Sequence, residues 1–254
     1  GKSWKLVTEG LPSNGPVNVV RADPKQVGLL FAGTERAVYF SIDEGAHWQS
    51  LRNNMPATSI RDLVIHEDDL VVGTHGRSIW ILDNIAPLRE MIKMQKESVY
   101  LFTPSLATRV RDNMFHDTPL PPEEPTGQNP PDGAILDYHL VVDASSVQLE
   151  ILHQDGKVIR SYASDNLPVN VDTTTQRHPT YWMRPVQKLG TSAGHHRFTW
   201  DLKYAPPRGA DASYSIAAVY NNTPSGPVGP MVNPGRYRVR LTVDGEVTEK
   251  PLVL

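Results

Sequence analysis

The chain of 254 residues contains no cysteine, and that one absence excludes disulfides, thiolate metal sites and cysteine nucleophiles together. It has no apolar run near the ~20 residues needed to cross a bilayer, so no membrane span is expected, and it does not open on a charged-then-apolar signal segment. An excess of either charge is also missing. With 25 basic and 28 acidic residues and a formal net charge of -3, electrostatics gives no reason to expect nucleic acid or an anionic membrane as partner. Helical periodicity is scarce, while 22 prolines point to turns, linkers and edge strands. Nine histidines include no His-Glu-x-x-His and no His-x-His; only His195 and His196 are adjacent, and neighbours on a strand face opposite ways. No metal and no cofactor are expected.

What is present is a repeat. Residues 30–44 are echoed by 70–84, with Gly33-Thr34 against Gly73-Thr74, Val38-Tyr39-Phe40 against Ser78-Ile79-Trp80, and Ile42-Asp43-Glu44 against Leu82-Asp83-Asn84. A period near forty carried by short alternating apolar runs is the signature of β-propeller blades. The first copy continues as Ser41-Ile42-Asp43-Glu44-Gly45-Ala46-His47-Trp48, the Ser-x-Asp-x-Gly-x-x-Trp pattern called the Asp-box or bacterial neuraminidase (BNR) repeat. Gly1-Lys2-Ser3-Trp4 looks like the tail of another, and Trp4 and Trp48 are each followed by an apolar-Pro pair, Leu11-Pro12 and Met55-Pro56. The chain is therefore expected to begin inside a repeat.

Four short strands are expected at 17–21, 29–34, 37–41 and from about Trp48, then three at 60–66, 69–74 and 78–83. A short helix is expected over 86–96, with Leu88, Met91 and Ile92 at helical spacing, and the run 98–103 is a candidate fourth strand for the second blade. Two blades would expose apolar faces, so the remaining blades are expected from upstream polypeptide or another chain. Pro119, Pro121, Pro122, Pro125, Pro130 and Pro131 mark a linker. Beyond it, strands at 134–141, 147–153, 157–162, 195–202, 237–243 and 246–254 have the rhythm of an immunoglobulin-like β-sandwich, with long loops over 166–187 and 205–234. The expected fold is all-β: a partial β-propeller of about two blades over 1–103, a Pro-rich linker over 104–132, and an immunoglobulin or fibronectin-like sandwich over 133–254.

The Asp-box, the run Gly73-Thr74-His75-Gly76-Arg77-Ser78-Ile79-Trp80-Ile81-Leu82-Asp83, the strand Gly194-His195-His196-Arg197-Phe198-Thr199-Trp200-Asp201-Leu202 and Pro234-Gly235-Arg236-Tyr237 carry a resemblance over the whole chain. The chain resembles the C-terminal part of large secreted bacterial Asp-box propeller proteins called sortilin-like or glycosyl-hydrolase-like. The resemblance implies an extracellular or periplasmic location and a carbohydrate or protein ligand. It implies no particular reaction, because fold does not establish function.

Ser41, Asp43, Gly45 and Trp48 are expected to be structural: the Asp and Ser side chains of such a turn bond local backbone, and the Trp packs beneath it. The opposite end of the blades carries the candidate ligand-binding residues, Glu35 and Arg36 in one loop and His75 and Arg77 in the next, where arginine forks suit carboxylate, phosphate or sugar hydroxyl. The competing reading is that Arg77 pairs with a neighbouring acid and His75 caps a turn. Catalysis by a glycoside hydrolase needs two positioned carboxylates; Glu35, Asp62, Glu67, Asp68 and Asp69 are the blade carboxylates, and none stands in a nucleophile or acid motif. Phe198 and Trp200 alternate as core residues do, whereas Tyr181-Trp182 is a candidate aromatic platform. Three functions follow: a binding segment, part of a hydrolase whose carboxylates lie upstream, or a terminal module for surface display or secretion.

Overall fold

The computed structural model describes residues 2–110, 127, 130–166, 179–207, 209, 213–214, 223 and 225–254. The expected proline run at 119–125 and the loop positions 167–178 and 215–222 lie outside the described residues. Among the described residues the chain is mostly β, with antiparallel sheets and one short α-helix, and it divides into two units, Gly1–Glu97 and Ser98–Leu254.

In the first unit, β1 (Val17–Ala22), β2 (Leu30–Thr34), β3 (Val38–Ser41) and β4 (Gln49–Ser50) form a meander in chain order, and β5 (Ile60–His66), β6 (Asp69–Thr74) and β7 (Ile79–Leu82) form a second. Alternating Val, Ile and Phe place one apolar face of each sheet inward. Val19, Phe31, Val38 and Phe40 of the first sheet share a core with Ile60, Leu63, Leu70 and Val72 of the second. The two sheets approach closely at Gly33, where a Cβ would lie 2.6 Å from Ile60 Cγ2.

The sheets match in detail. Val17 opposes Thr34 and Ile60 opposes Thr74, and each inner strand then carries a bulge before the register resumes at Val19 opposite Gly33 and Asp62 opposite Gly73. One feature departs from the expected alignment. Val38 opposes Gly33 but Ile79, not Ser78, opposes Gly73, so the second hairpin loop is one residue longer and Val38 corresponds to Ile79. Ser78 absorbs the extra residue at positive φ, +63°.

The helix α1 (Ala86–Met94) starts where expected and ends two residues early; Pro87 sits in its first turn, where a missing N–H costs nothing. Leu88 and Met91 pack on the core while Ile92 stays exposed. Arg89 ties the helix down, donating from Nε and Nη2 to Asp23 at 2.9–3.1 Å and from Nη1 to Asp68.

In the second unit the strands are β8 (Val99–Leu101), β9 (Ala134–Leu140), β10 (Val147–His153), β11 (Val158–Ala163), β12 (Gly194–Trp200), β13 (Ser213–Tyr214), β14 (Ser225–Gly226), β15 (Arg236–Val243) and β16 (Glu246–Val253). They form sheets in the orders β12-β9-β8 and β11-β10-β15-β16 and a small β13-β14 ladder. Leu136, Tyr138, Phe198 and Trp200 share one core with Leu149, Ile151, Val239 and Leu241. Asp244 and Gly245, both at positive φ, make the tight turn between β15 and β16. The strand expected to complete the second blade is corrected here: Val99–Leu101 pairs with β9, not with β7. The Pro-rich stretch thus connects two neighbouring strands of one sheet. Leu101 of β8 is fully buried in the second unit's core, opposite Tyr138 of β9.

Candidate functional site

The β3–β4 turn lies at one end of the first unit. Ser41 Oγ donates to Asp43 Oδ1 at 2.7 Å and accepts from the Gly45 N–H at 2.9 Å, and Asp43 Oδ1 accepts from the His47 N–H at 2.9 Å. The His47 ring, Nδ1 to Asp43 Oδ2 at 2.6 Å, closes the turn. The backbone and ring hydrogen bonds from His47, with the Ser41 hydroxyl, hold the Asp43 carboxyl at about 2, and the Asp43 bond raises the His47 pKa in return. Trp48 is buried, its indole N–H donating to the Val7 carbonyl at 2.9 Å. Gly45 takes φ +88° beside the Trp48 ring. Every polar atom of Ser41 and Asp43 named here serves the turn.

The β2–β3 and β6–β7 loops occupy the other end, and a short segment stitches them together. The Thr58 N–H donates to the Arg36 carbonyl at 3.2 Å, and the His75 N–H donates to the Ser59 carbonyl at 2.9 Å. Thr34 and Thr74 each turn a hydroxyl into their own loop, to the carbonyls of Ala37 and Ser78 at 2.9 and 2.5 Å. Glu35, Arg36, His75 and Arg77 therefore sit on two loops held at one end of the unit.

Glu35 is the best-anchored of the four. Its Oε1 accepts from Asn18 Nδ2 at 2.9 Å, and Arg61 Nη1 lies 3.5 Å away. The Asn18 hydrogen bond, aided by the nearby charges of Arg61 and His75, lowers the carboxyl's pKa. Asn18 and Arg61 are the residues omitted from the ladder at the two matching bulges. A bulge re-aims its extra residue, and here both are turned toward the same carboxylate. Arg36, His75 and Arg77 are exposed, and among the described residues the side chains of Arg36 and Arg77 form no ion pair. Trp80 Nε1 donates to the Arg77 carbonyl at 2.7 Å, fixing that backbone from below. The result is one carboxylate held by Asn18 near Arg61 and His75, with Arg36 and Arg77 exposed on the same two loops, where they present guanidinium donors to solvent.

Sequence reasoning missed Asn18, Thr58, Ser59 and Arg61. Asn18, a polar residue interrupting Val17-Asn18-Val19-Val20, was the available signal.

In the second unit Phe198 and Trp200 are buried in the core, and the Trp200 indole N–H donates to the Lys203 carbonyl at 3.1 Å. His195 and His196 face opposite ways, His195 bonding Asp137 Oδ1 at 3.0 Å and His196 stacking on Tyr138. Tyr181 and Trp182 lie edge to face on a 3-10 turn, with Tyr181 exposed. Among the described residues no group of three or more His, Asp or Glu side chains is arranged to hold a metal ion. No protein-family model, no curated protein and no solved structure matches the chain.

Proposed function

We propose that this chain is the C-terminal segment of a secreted Asp-box propeller protein and that it binds carbohydrate or polypeptide through the end of the first unit formed by the β2–β3 and β6–β7 loops. The observation that carries the proposal is the stitching of the two loops by Thr58 and Ser59, which holds the loops bearing Arg36, His75 and Arg77 at the same end of the unit as the anchored Glu35. The matched registers, shared bulges and Asp-box turn support two successive blades, and the core shared by the two larger sheets of the second unit supports a sandwich. On this reading the protein is extracellular or periplasmic.

On this reading Glu35 positions donors: a general acid needs its pKa raised, whereas the Asn18 hydrogen bond lowers this carboxyl. The hydrolase alternative keeps its catalytic carboxylates upstream.

A printed array of neutral and uronate-containing oligosaccharides, probed with the intact chain, tests the proposal. Binding should weaken about tenfold or more in Arg36→Ala and Arg77→Ala, the usual loss for one charged hydrogen bond. Binding indifferent to both substitutions, or none at all across the array and a parallel peptide panel, contradicts it.

A further inference from the structure

Three strands of the second unit bring basic side chains to one end of its four-stranded sheet. The His153 N–H donates to the Lys157 carbonyl across the β10–β11 hairpin at 2.9 Å, and His153 opposes Tyr237 on β15, the residue after Arg236. His153, Gln154, Asp155, Lys157 and Arg236 together line one open, shallow depression of about 710 Å³. Its floor is braced. The His153 Nε2 lies 3.1 Å from the Tyr204 hydroxyl, its ring packs against Tyr237, and the Tyr237 hydroxyl donates to the Asn233 carbonyl at 2.5 Å. Arg236 follows Gly235, whose N–H and carbonyl both bond Leu254.

Along β15, Arg236, Arg238 and Arg240 alternate with the core residues Tyr237 and Val239 and so share the outer face. Glu249 bonds Arg238 at 2.8 Å and Arg240 at 2.7 Å, and Glu150 bonds Arg240 at 3.3 Å. Both carboxylates are taken up there, and among the described residues the exposed side chains of Arg236 and Lys157 form no ion pair. Arg238 Nη2 lies 3.5 Å from the Gln154 carbonyl of the hairpin turn, and its buried Nε has no hydrogen-bond partner among the described residues. Asp155 is the one acid among the described lining residues, and its Oδ1 is turned into the hairpin, accepting from the Lys157 N–H at 3.0 Å. The depression is thus locally basic on a chain whose formal net charge is -3.

We propose that this depression binds a tetrahedral oxyanion, the sulfate or phosphate ester of an anionic polysaccharide. One arginine fork matches a planar carboxylate. Lys157 on the hairpin and Arg236 on a separate strand instead offer a point charge and a fork from two directions, which suits an anion with three terminal oxygens. The opening is shallow and polar, unlike the enclosed apolar clefts that hold small molecules, so it fits a group that stays partly hydrated on a larger chain. Exposed charge pairs contribute little singly, and a polymer that repeats the ester gains by multivalency. The negative net charge weighs against a densely charged nucleic acid and favours a sparsely charged glycan. The site uses no residue of the first unit and stands independently of the function proposed above.

Biolayer interferometry of the intact chain on immobilised dextran sulfate, phosphorylated dextran and uncharged dextran tests this. One or both esters should bind, the uncharged polymer should not, and the ester retained at the higher salt names the ligand. Lys157→Ala and Arg236→Ala should each weaken binding about fivefold with an unchanged circular dichroism spectrum. Asp155→Asn, which keeps an oxygen for the hairpin and removes the negative charge, should strengthen it. Arg36→Ala and Arg77→Ala should leave it unchanged. No binding to either ester overturns the proposal, as does binding indifferent to Lys157→Ala and Arg236→Ala. Loss in Arg36→Ala or Arg77→Ala puts the anion on the first unit and also overturns it. Equally tight binding of double-stranded DNA shows charge attraction without recognition and overturns it as well.

Discussion

Asp43 carries a strongly lowered carboxyl, and its partner His47 moves the other way. A lowered carboxyl contributes stability above its ordinary value of 3.8 and loses that contribution as pH falls toward about 2. A raised imidazole contributes below its ordinary 6.5 and loses the contribution as pH rises through the raised value. Both groups are charged between these limits, so the turn is tightest in mildly acidic solution. Replacing Asp43 with Asn should return the His47 titration, followed by its ring proton NMR shifts, toward 6.5. An unchanged titration would show that the ring owes its shift to Glu9, whose Oε1 lies 3.7 Å from Nε2.

At the scale of elements, what holds α1 to the sheets is a buried ion pair. The Asp23 side chain is fully buried beneath Arg89, and Arg89 also reaches Asp68 and the Glu67 carbonyl, so one guanidinium closes the ends of two hairpins. Removing it leaves a buried carboxylate without its cation. Arg89→Ala should therefore cost about 3–5 kcal/mol in urea unfolding. Arg21→Ala, which breaks the exposed pair with Asp62, should cost about 1 kcal/mol or less. Equal effects would contradict the assignment.

The strands were legible because alternating β-branched and aromatic residues impose period two on segments such as Val147–His153. The helix was legible from Leu88 and Met91. Three things were not. The pairing of Val99–Leu101 with β9 joins residues far apart in sequence, and local pattern carries no partner information. The extra residue in the β6–β7 loop is hidden because Thr74 and Ser78 rebuild the turn that Thr34 and Ala37 make with one residue fewer. The bulges that turn Asn18 and Arg61 toward Glu35 are properties of register, so half of the candidate site was beyond sequence reading.

Across the molecule, each unit has its own core. The two ends of the first unit have separate tasks. One end spends its polar groups on the Asp43 turn and the Arg89 pair, while the other leaves Arg36 and Arg77 facing solvent. Ligand binding at that second end is the central claim, and amide hydrogen exchange of the intact chain, with and without the tightest oligosaccharide or peptide from the panels, tests it most directly. Protection is predicted over residues 34–37, 58–61 and 74–78. Protection confined to another surface, such as the shallow polar depression of about 710 Å³ around His153, Lys157 and Arg236, would contradict it.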